Sequence, residues 1–171
     1  GKQYSGKDTV AKILLENLTN FKRIGLGDAI KIEYGEQKGL SFEEIEQNKA
    51  KYRQDLINLG NKRRSEEKDY WIKKVIKMPG NIIVPDVRVK RELEFFKEAN
   101  AFTIRVEASR ETRSQRGQLV GETDVTEVDL DDIKDWDYVI ENNSTYENLQ
   151  AKSIELAKEI KSFLNKNKSE K

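Results

Sequence analysis

The chain has 171 residues, enough for one sizeable hydrophobic core and a single domain. Charged residues make up 37% and apolar residues 36%, and 32 Lys and Arg stand against 31 Asp and Glu, so no bulk positive field points to nucleic acid or to a membrane surface. Cysteine and histidine are both absent, which excludes disulfides, thiolate metal sites and the commonest general base. With no apolar segment of spanning length and no signal-peptide pattern, a soluble cytoplasmic protein is expected.

The first eight residues, Gly1-Lys2-Gln3-Tyr4-Ser5-Gly6-Lys7-Asp8, set two glycines five apart ahead of a lysine and a run of helical periodicity. Backbone N–H groups of such a loop wrap the phosphates of a nucleoside triphosphate, and the lysine brings a mobile positive charge to the transferred group. Asp8 stands where serine or threonine ordinarily meets magnesium, and a carboxylate can hold that cation directly or through water. A glycine-rich surface turn is the plain alternative. Val10, Ile13, Leu14 and Leu18 then predict an amphipathic helix from about Gly6 to Leu18. A short strand is expected over Phe21 to Leu26, a break at Gly25-Leu26-Gly27-Asp28, and a helix over Ala29 to Tyr34. Ser41 and Glu44 form a capping box, followed by the apolar stripe Tyr52, Leu56 and Leu59. On the other face Arg53, Gly60 and Arg64 stack along one side, and the helical glycine suggests a close approach there. Two arginines beside a glycine suit an anion site; a solvated charged face is the rival.

Asp69 is expected to cap a helix carrying Trp71, Val75 and Met78, which Pro79-Gly80 ends. Ile82, Ile83 and Val84 read as a buried parallel strand, with Asp86 and Arg88 just past its C-terminal end. Ligands gather at that end of open α/β sheets, so Asp86 is a candidate for magnesium through water and Arg88 for a phosphate clamp. A surface turn with a structural ion pair is the alternative. A helix marked by Val89, Leu93 and Phe96 and a strand over Phe102 to Val106 follow. Arg110, Arg113 and Arg116 predict one basic helical ridge, and Gly117 and Gly121 open a polar connection, together a lid over 109–132. Its acidic residues, Glu122, Asp124, Glu127, Asp129, Asp131 and Asp132, could merely neutralise that ridge. Asp137 to Glu141 is the last strand, Asn142-Asn143 a turn, and Ser144 with Glu147 caps a closing helix lined by Leu149, Leu156, Ile160 and Leu164. One domain over 1–164 and a flexible tail over 165–171 are expected. Alternating strands and helices imply a three-layer α/β fold with a mostly parallel sheet. A phosphate loop ordinarily follows a buried strand, and a sheet without it would have a gap at its centre, so the sequence is expected to start late, after that strand.

Several dispersed motifs occur in one order. They are GKxxSGKD at Gly1 to Asp8, Lys31 with Tyr34 and Gly39-Leu40, and Tyr52-Arg53 through Leu59-Gly60 to Arg64. Val84-Pro85-Asp86-Val87-Arg88, Arg113-Ser114-Gln115-Arg116-Gly117 and Asp135 to Asn142 complete the set. In these the chain resembles the nucleoside-monophosphate-kinase-like P-loop group, and within it the animal-type phosphomevalonate kinases over nearly its whole length. Phage and bacterial deoxynucleoside monophosphate kinases are similar more loosely, through SGKDT at Ser5 to Thr9 and the VPDxR strand end. The resemblance implies a P-loop kinase fold with a mostly parallel five-stranded sheet and the loop after its central strand. It also implies magnesium-dependent transfer of the ATP γ-phosphoryl group to a small acceptor that already bears a phosphate.

Carried over by position, the resemblance places Gly1, Lys2, Ser5, Gly6, Lys7, Asp8 and Thr9 at ATP, with Asp8 at the metal. Lys31, Arg53, Arg64 and Arg88 would hold the acceptor, and Lys7, Arg113 and Arg116 would serve the transfer. Phosphomevalonate kinases carry basic residues where this chain has Gln3 and Tyr4, and a second arginine at Val89. Two acceptors therefore stay open, phosphomevalonate first and a deoxynucleoside monophosphate second, the latter needing Tyr34, Phe42 or Tyr4 as a stacking surface. A non-catalytic nucleotide-binding partner is the reading from another class. The expected assembly is a monomer or weak dimer.

Overall fold

The computed structural model describes residues 1–169. Helix α1 (Lys7–Asn17) starts directly from the glycine-rich loop and buries Val10, Ala11, Ile13 and Leu14, the face its periodicity marks. Strand β1 (Phe21–Arg23) pairs in parallel with β2 (Asn81–Ile83), placing Phe21 opposite Asn81. Four helices make the crossover between them: α2 (Leu26–Lys38), α3 (Phe42–Gln47), α4 (Lys49–Glu66) and α5 (Tyr70–Ile76). After β2 comes α6 (Lys90–Glu98), and then β3 (Ile104–Glu107), which pairs in parallel with β4 (Tyr138–Glu141). Between β3 and β4 lie α7 (Arg110–Arg116) and the short α8 (Val125–Val128), and α9 (Tyr146–Ser169) closes the chain.

The mixture of helices with small parallel sheets is an α/β arrangement, but the expected single five-stranded sheet is not formed. Among the described residues the strands make two parallel pairs, and no ladder joins β2 to β3. Apolar packing joins the pairs instead. Val10, Leu14, Val106, Ile140, Leu149, Leu156 and Ile160 form one core between α1, α9 and the second pair, and Phe21 and Ile83 of the first pair rest against it. A second core gathers Ile24, Ala29, Trp71, Ile72, Val75 and Phe96 under α2, α5 and α6. Tyr34, Ile45 and Tyr52 make a third, smaller cluster among α2, α3 and α4.

Several local expectations change. Ser41 does accept from the Glu44 N–H at 3.1 Å, as a cap should. Asp69 does not cap α5; both of its oxygens take the Arg91 guanidinium, at 2.5 and 2.6 Å, because a bidentate charge-assisted pair outcompetes one backbone N–H. The closing helix is capped by Thr145, whose hydroxyl accepts from the Asn148 N–H at 3.3 Å, one residue later than Ser144. Helix α9 also runs on through Ser169, where a flexible tail was expected from residue 165. Positions 170 and 171 of that expected tail lie outside the described residues. The polar connection after Gly117 contains α8, which its sequence does not announce.

Candidate active site

The loop is built by close contacts that exclude side chains. Gly6 has φ 104°, and a Cβ there would lie 2.4 Å from Asn142 Nδ2. That nitrogen donates to the Ser5 carbonyl at 2.9 Å, so the end of β4 grips the turn into α1. A Cβ on Gly1 would lie 2.1 Å from the Val106 carbonyl oxygen, which sets the loop against β3. Tyr4 takes φ 56°, and its ring lies over Gly117, where a Cβ would come within 2.3 Å of the ring. Gly117 itself is extended, so the aromatic face and not the backbone angle demands glycine there.

Helix α7 brings arginines onto this loop. Arg116 donates to the Tyr4 carbonyl at 3.2 Å and to the Asn142 carbonyl at 2.8 Å. Arg113 is buried, reaches the Gln3 carbonyl at 3.5 Å and lies 3.8 Å from Glu122. Arg110 does not join them; it turns outward and pairs with Glu122 at 2.8 Å, since three-residue spacing advances only about 300° per step and drifts off one face.

Lys7 Nζ donates to the Lys2 carbonyl at 2.7 Å. Burial, with the Arg88 guanidinium nearby, lowers its ammonium from the ordinary 10.5 to about 8. Arg88 pairs with Glu127 at 2.7 Å, and the second oxygen of Glu127 accepts the Gln3 N–H at 3.0 Å. Each proposed phosphate-handling cation of the loop region therefore already has a protein acceptor. Two buried polar atoms, Ser5 Oγ and Arg113 Nε, have no hydrogen-bond partner in this structure. Such groups each cost about 1–3 kcal/mol when unpaired, so the donor set fits a phosphate-bearing ligand in the loop.

Asp8, at the start of α1, has a side chain 79% exposed and pairs through one oxygen with Arg23 at 3.0 Å. Thr9 follows it in the same turn. Magnesium is ordinarily held by one or two carboxylates, phosphate oxygens and water, which an exposed Asp8 fits. Asp86, the other metal candidate, lies at the start of α2. Its oxygens accept the Leu26 N–H at 2.9 Å and the Gly27 N–H at 3.5 Å, capping α2, where unpaired helical N–H groups attract a carboxylate. Among the described residues no cluster of three or more ligating side chains stands ready for a metal.

A chain of ion pairs runs from α1 toward a second cavity. Arg23 bridges Asp8 and Asp28, the latter at 3.1 Å, and Lys31 lies 3.0 Å from Asp28 and 2.6 Å from Glu46. The cavity, about 590 Å³, is lined by Lys31, Lys49, Arg53 and Arg64 with the aliphatic walls of Ile30, Leu56 and Ile57. Gly60 makes room for it, because a Cβ there would come within 3.1 Å of Ile30 Cδ1 and 3.3 Å of an Arg64 nitrogen. Most predicted residues thus fall into two groups, Gly1, Lys2, Ser5, Gly6, Lys7, Arg88, Arg113 and Arg116 at the loop and Lys31, Arg53 and Arg64 at the cavity, while Asp8 and Thr9 open α1 and Asp86 caps α2. Sequence reasoning assigned no place in the site to Arg23, Asp28, Lys49, Glu127 or Asn142. Asn142 closes a motif that was visible; Glu127 had no local signal among its acidic neighbours.

Two family models match the chain. The one described as Phosphomevalonate kinase matches residues 1–102, and the one described as Deoxynucleotide monophosphate kinase matches residues 61–154. Each spans more than half of the 171 residues, and they overlap on the segment holding Arg64, Asp86 and Arg88.

Proposed function

We propose, from the premise that the chain belongs to the P-loop kinase group shared by these phosphomevalonate kinase and deoxynucleotide monophosphate kinase families, that it moves the γ-phosphoryl group of ATP onto phosphomevalonate. The phosphotransferase class follows from the family. The acceptor is our reading, and the observation that carries it is the lining of the second cavity: four cations and aliphatic walls, with no aromatic ring. Phosphomevalonate is a small aliphatic dianion with a further carboxylate, and such a lining meets it by charge and methylene contact. A nucleobase needs a stacking face. Tyr34 is buried and donates to Asp55 at 2.7 Å, and the Tyr4 ring lies on Gly117, which leaves Phe42 beside Lys31.

The acceptor is already an anion, so the task is charge neutralisation and alignment, for which a chain without histidine is equipped. Lys7 and the backbone N–H groups of the loop bind and orient the donor phosphates. Arg53, Arg64 and Lys31 hold the acceptor, and Arg88 meets its phosphate from the loop side. Arg113 and Arg116 exchange their carbonyl partners for phosphate oxygens as the transfer proceeds. Magnesium, which with ATP neutralises the β- and γ-phosphates, would be held on the protein side by Asp8. Action as a cytoplasmic monomer or weak dimer belongs to the same proposal; among the described residues no helix is long and apolar enough to cross a membrane.

The test measures ADP release from Mg-ATP with phosphomevalonate and, separately, with each deoxynucleoside monophosphate. Turnover with phosphomevalonate alone is expected. Turnover with a nucleotide alone would transfer the chain to the second reading, which the match over residues 61–154 favours. ATP binding without turnover of any acceptor would support a non-catalytic partner instead.

A further inference from the structure

Within the lid expected over 109–132, the part that follows α7 is stitched to two separate parts of the site. On the loop side, Gln3 Nε2 donates to the Val120 carbonyl at 2.5 Å, Lys2 pairs with Asp131 at 2.6 Å, and the Gln3 N–H reaches Glu127. Toward the strand end, the Lys90 N–H donates to Asp129 at 2.7 Å and the Lys90 ammonium to Asp132 at 2.7 Å. Glu127 touches both sides through one carboxylate, 3.0 Å to Gln3 N and 2.7 Å to Arg88 Nη1.

The pair is asymmetric. The Glu127 side chain is 4% exposed while that of Arg88 is 34% exposed, and Nη1 is the one guanidinium nitrogen it commits. Here the carboxylate is sunk and the arginine keeps an open side with unused donors. Its backbone is held as well, for Glu92 accepts the Arg88 N–H at 2.7 Å and the Val89 N–H at 3.2 Å.

We propose that Glu127 is a positioning residue for phosphoryl transfer, holding the Arg88 guanidinium at a set place against the phosphate loop so that donor and acceptor phosphates meet in register. The inference rests on the kinase reading above. An arginine side chain otherwise samples many rotamers, and a displacement of about 1 Å at a reacting group can cost about 100-fold in rate.

A double-mutant cycle of Glu127→Gln, Arg88→Ala and the combination tests it, with Glu127→Asp as a variant that keeps the charge but shortens the reach. We expect Glu127→Gln to lower kcat about tenfold or more while changing the KM for ATP less than about twofold. Added to Arg88→Ala, it should change kcat by less than about twofold, because its effect passes through Arg88. Equal losses in the two backgrounds, or full activity in Glu127→Gln, would overturn the proposal. If the unaltered protein turns over no acceptor, the kinase reading falls, and amide hydrogen exchange on the same proteins decides the positional claim. Faster exchange both at residues 1–6 and at 88–90 in Glu127→Gln upholds it, and unchanged exchange at either sinks it.

Discussion

In the proposed reaction, Lys7 is the one ammonium group at the donor phosphates. Replacing it by alanine should lower kcat by roughly 10²–10³-fold, the usual cost of losing one preorganised charge at a developing anion. Its proton is held less tightly than in an ordinary lysine, at about 8, chiefly because it is buried. The kcat/KM for ATP should therefore be level below about pH 8 and fall as the pH rises through it, and Lys7→Arg should remove that limb of the profile. Stability runs the opposite way. An unfolded lysine keeps its proton up to the ordinary 10.5, so between about 8 and 10.5 the unfolded state binds more protons, and folding gains with rising pH. A pH–rate profile and a pH–stability profile on the same protein would separate the two effects.

At the scale of elements, α2 is the hub that ties the acceptor-side helices together. Its Glu33, 5% exposed at the side chain, accepts from Arg63 of α4 and from Tyr70 and Lys74 of α5, each at 2.7 Å. Burial would push this carboxyl up, but the hydrogen bonds from Lys74, Tyr70 and Arg63 together hold it below the usual value. Glu33→Ala should cost about 3 kcal/mol in denaturant unfolding at neutral pH, since it strands cations of a half-buried network. A depressed carboxylate contributes above its unfolded pKa and loses that contribution as the pH falls through the folded one. The cost of Glu33→Ala should accordingly shrink in acid, below about pH 4. A cost unchanged by acid would mean that packing, and not the ion network, ties α2 to α4 and α5.

Across the whole molecule, the phosphate loop sits on the core of α1, α9 and the second strand pair, whereas the cationic cavity lies among α2 and α4. The Asp8–Arg23–Asp28–Lys31 chain of ion pairs links them, while the Arg88–Glu127 pair stays on the loop side, where Glu127 also accepts the Gln3 N–H. If, as proposed, the loop holds the donor and the cavity the acceptor, their effects should separate. Arg64→Ala should raise the acceptor KM about tenfold or more and leave the KM for ATP within about twofold. An equal rise in both would mean that the cavity is not the acceptor site.

How much of this was legible beforehand depended on distance along the chain. The loop, the buried face of α1 and the Arg53–Gly60–Arg64 face of α4 could be read from residue spacing, because a helix repeats every 3.6 residues and a phosphate loop needs glycine where side chains would clash. Choices among nearby charges were not legible. Asp86 caps α2 from 60 positions away, Asp69 leaves its own helix for Arg91, and Glu127 meets Arg88 across 39 positions. The sequence by itself determined most of the helices, though not α8 or the full length of α9, along with which loop suits phosphate and which kinase group the chain resembles. Only the tertiary structure decided which carboxylate meets which cation, since burial strengthens one pair over its competitors and no local spacing encodes that burial.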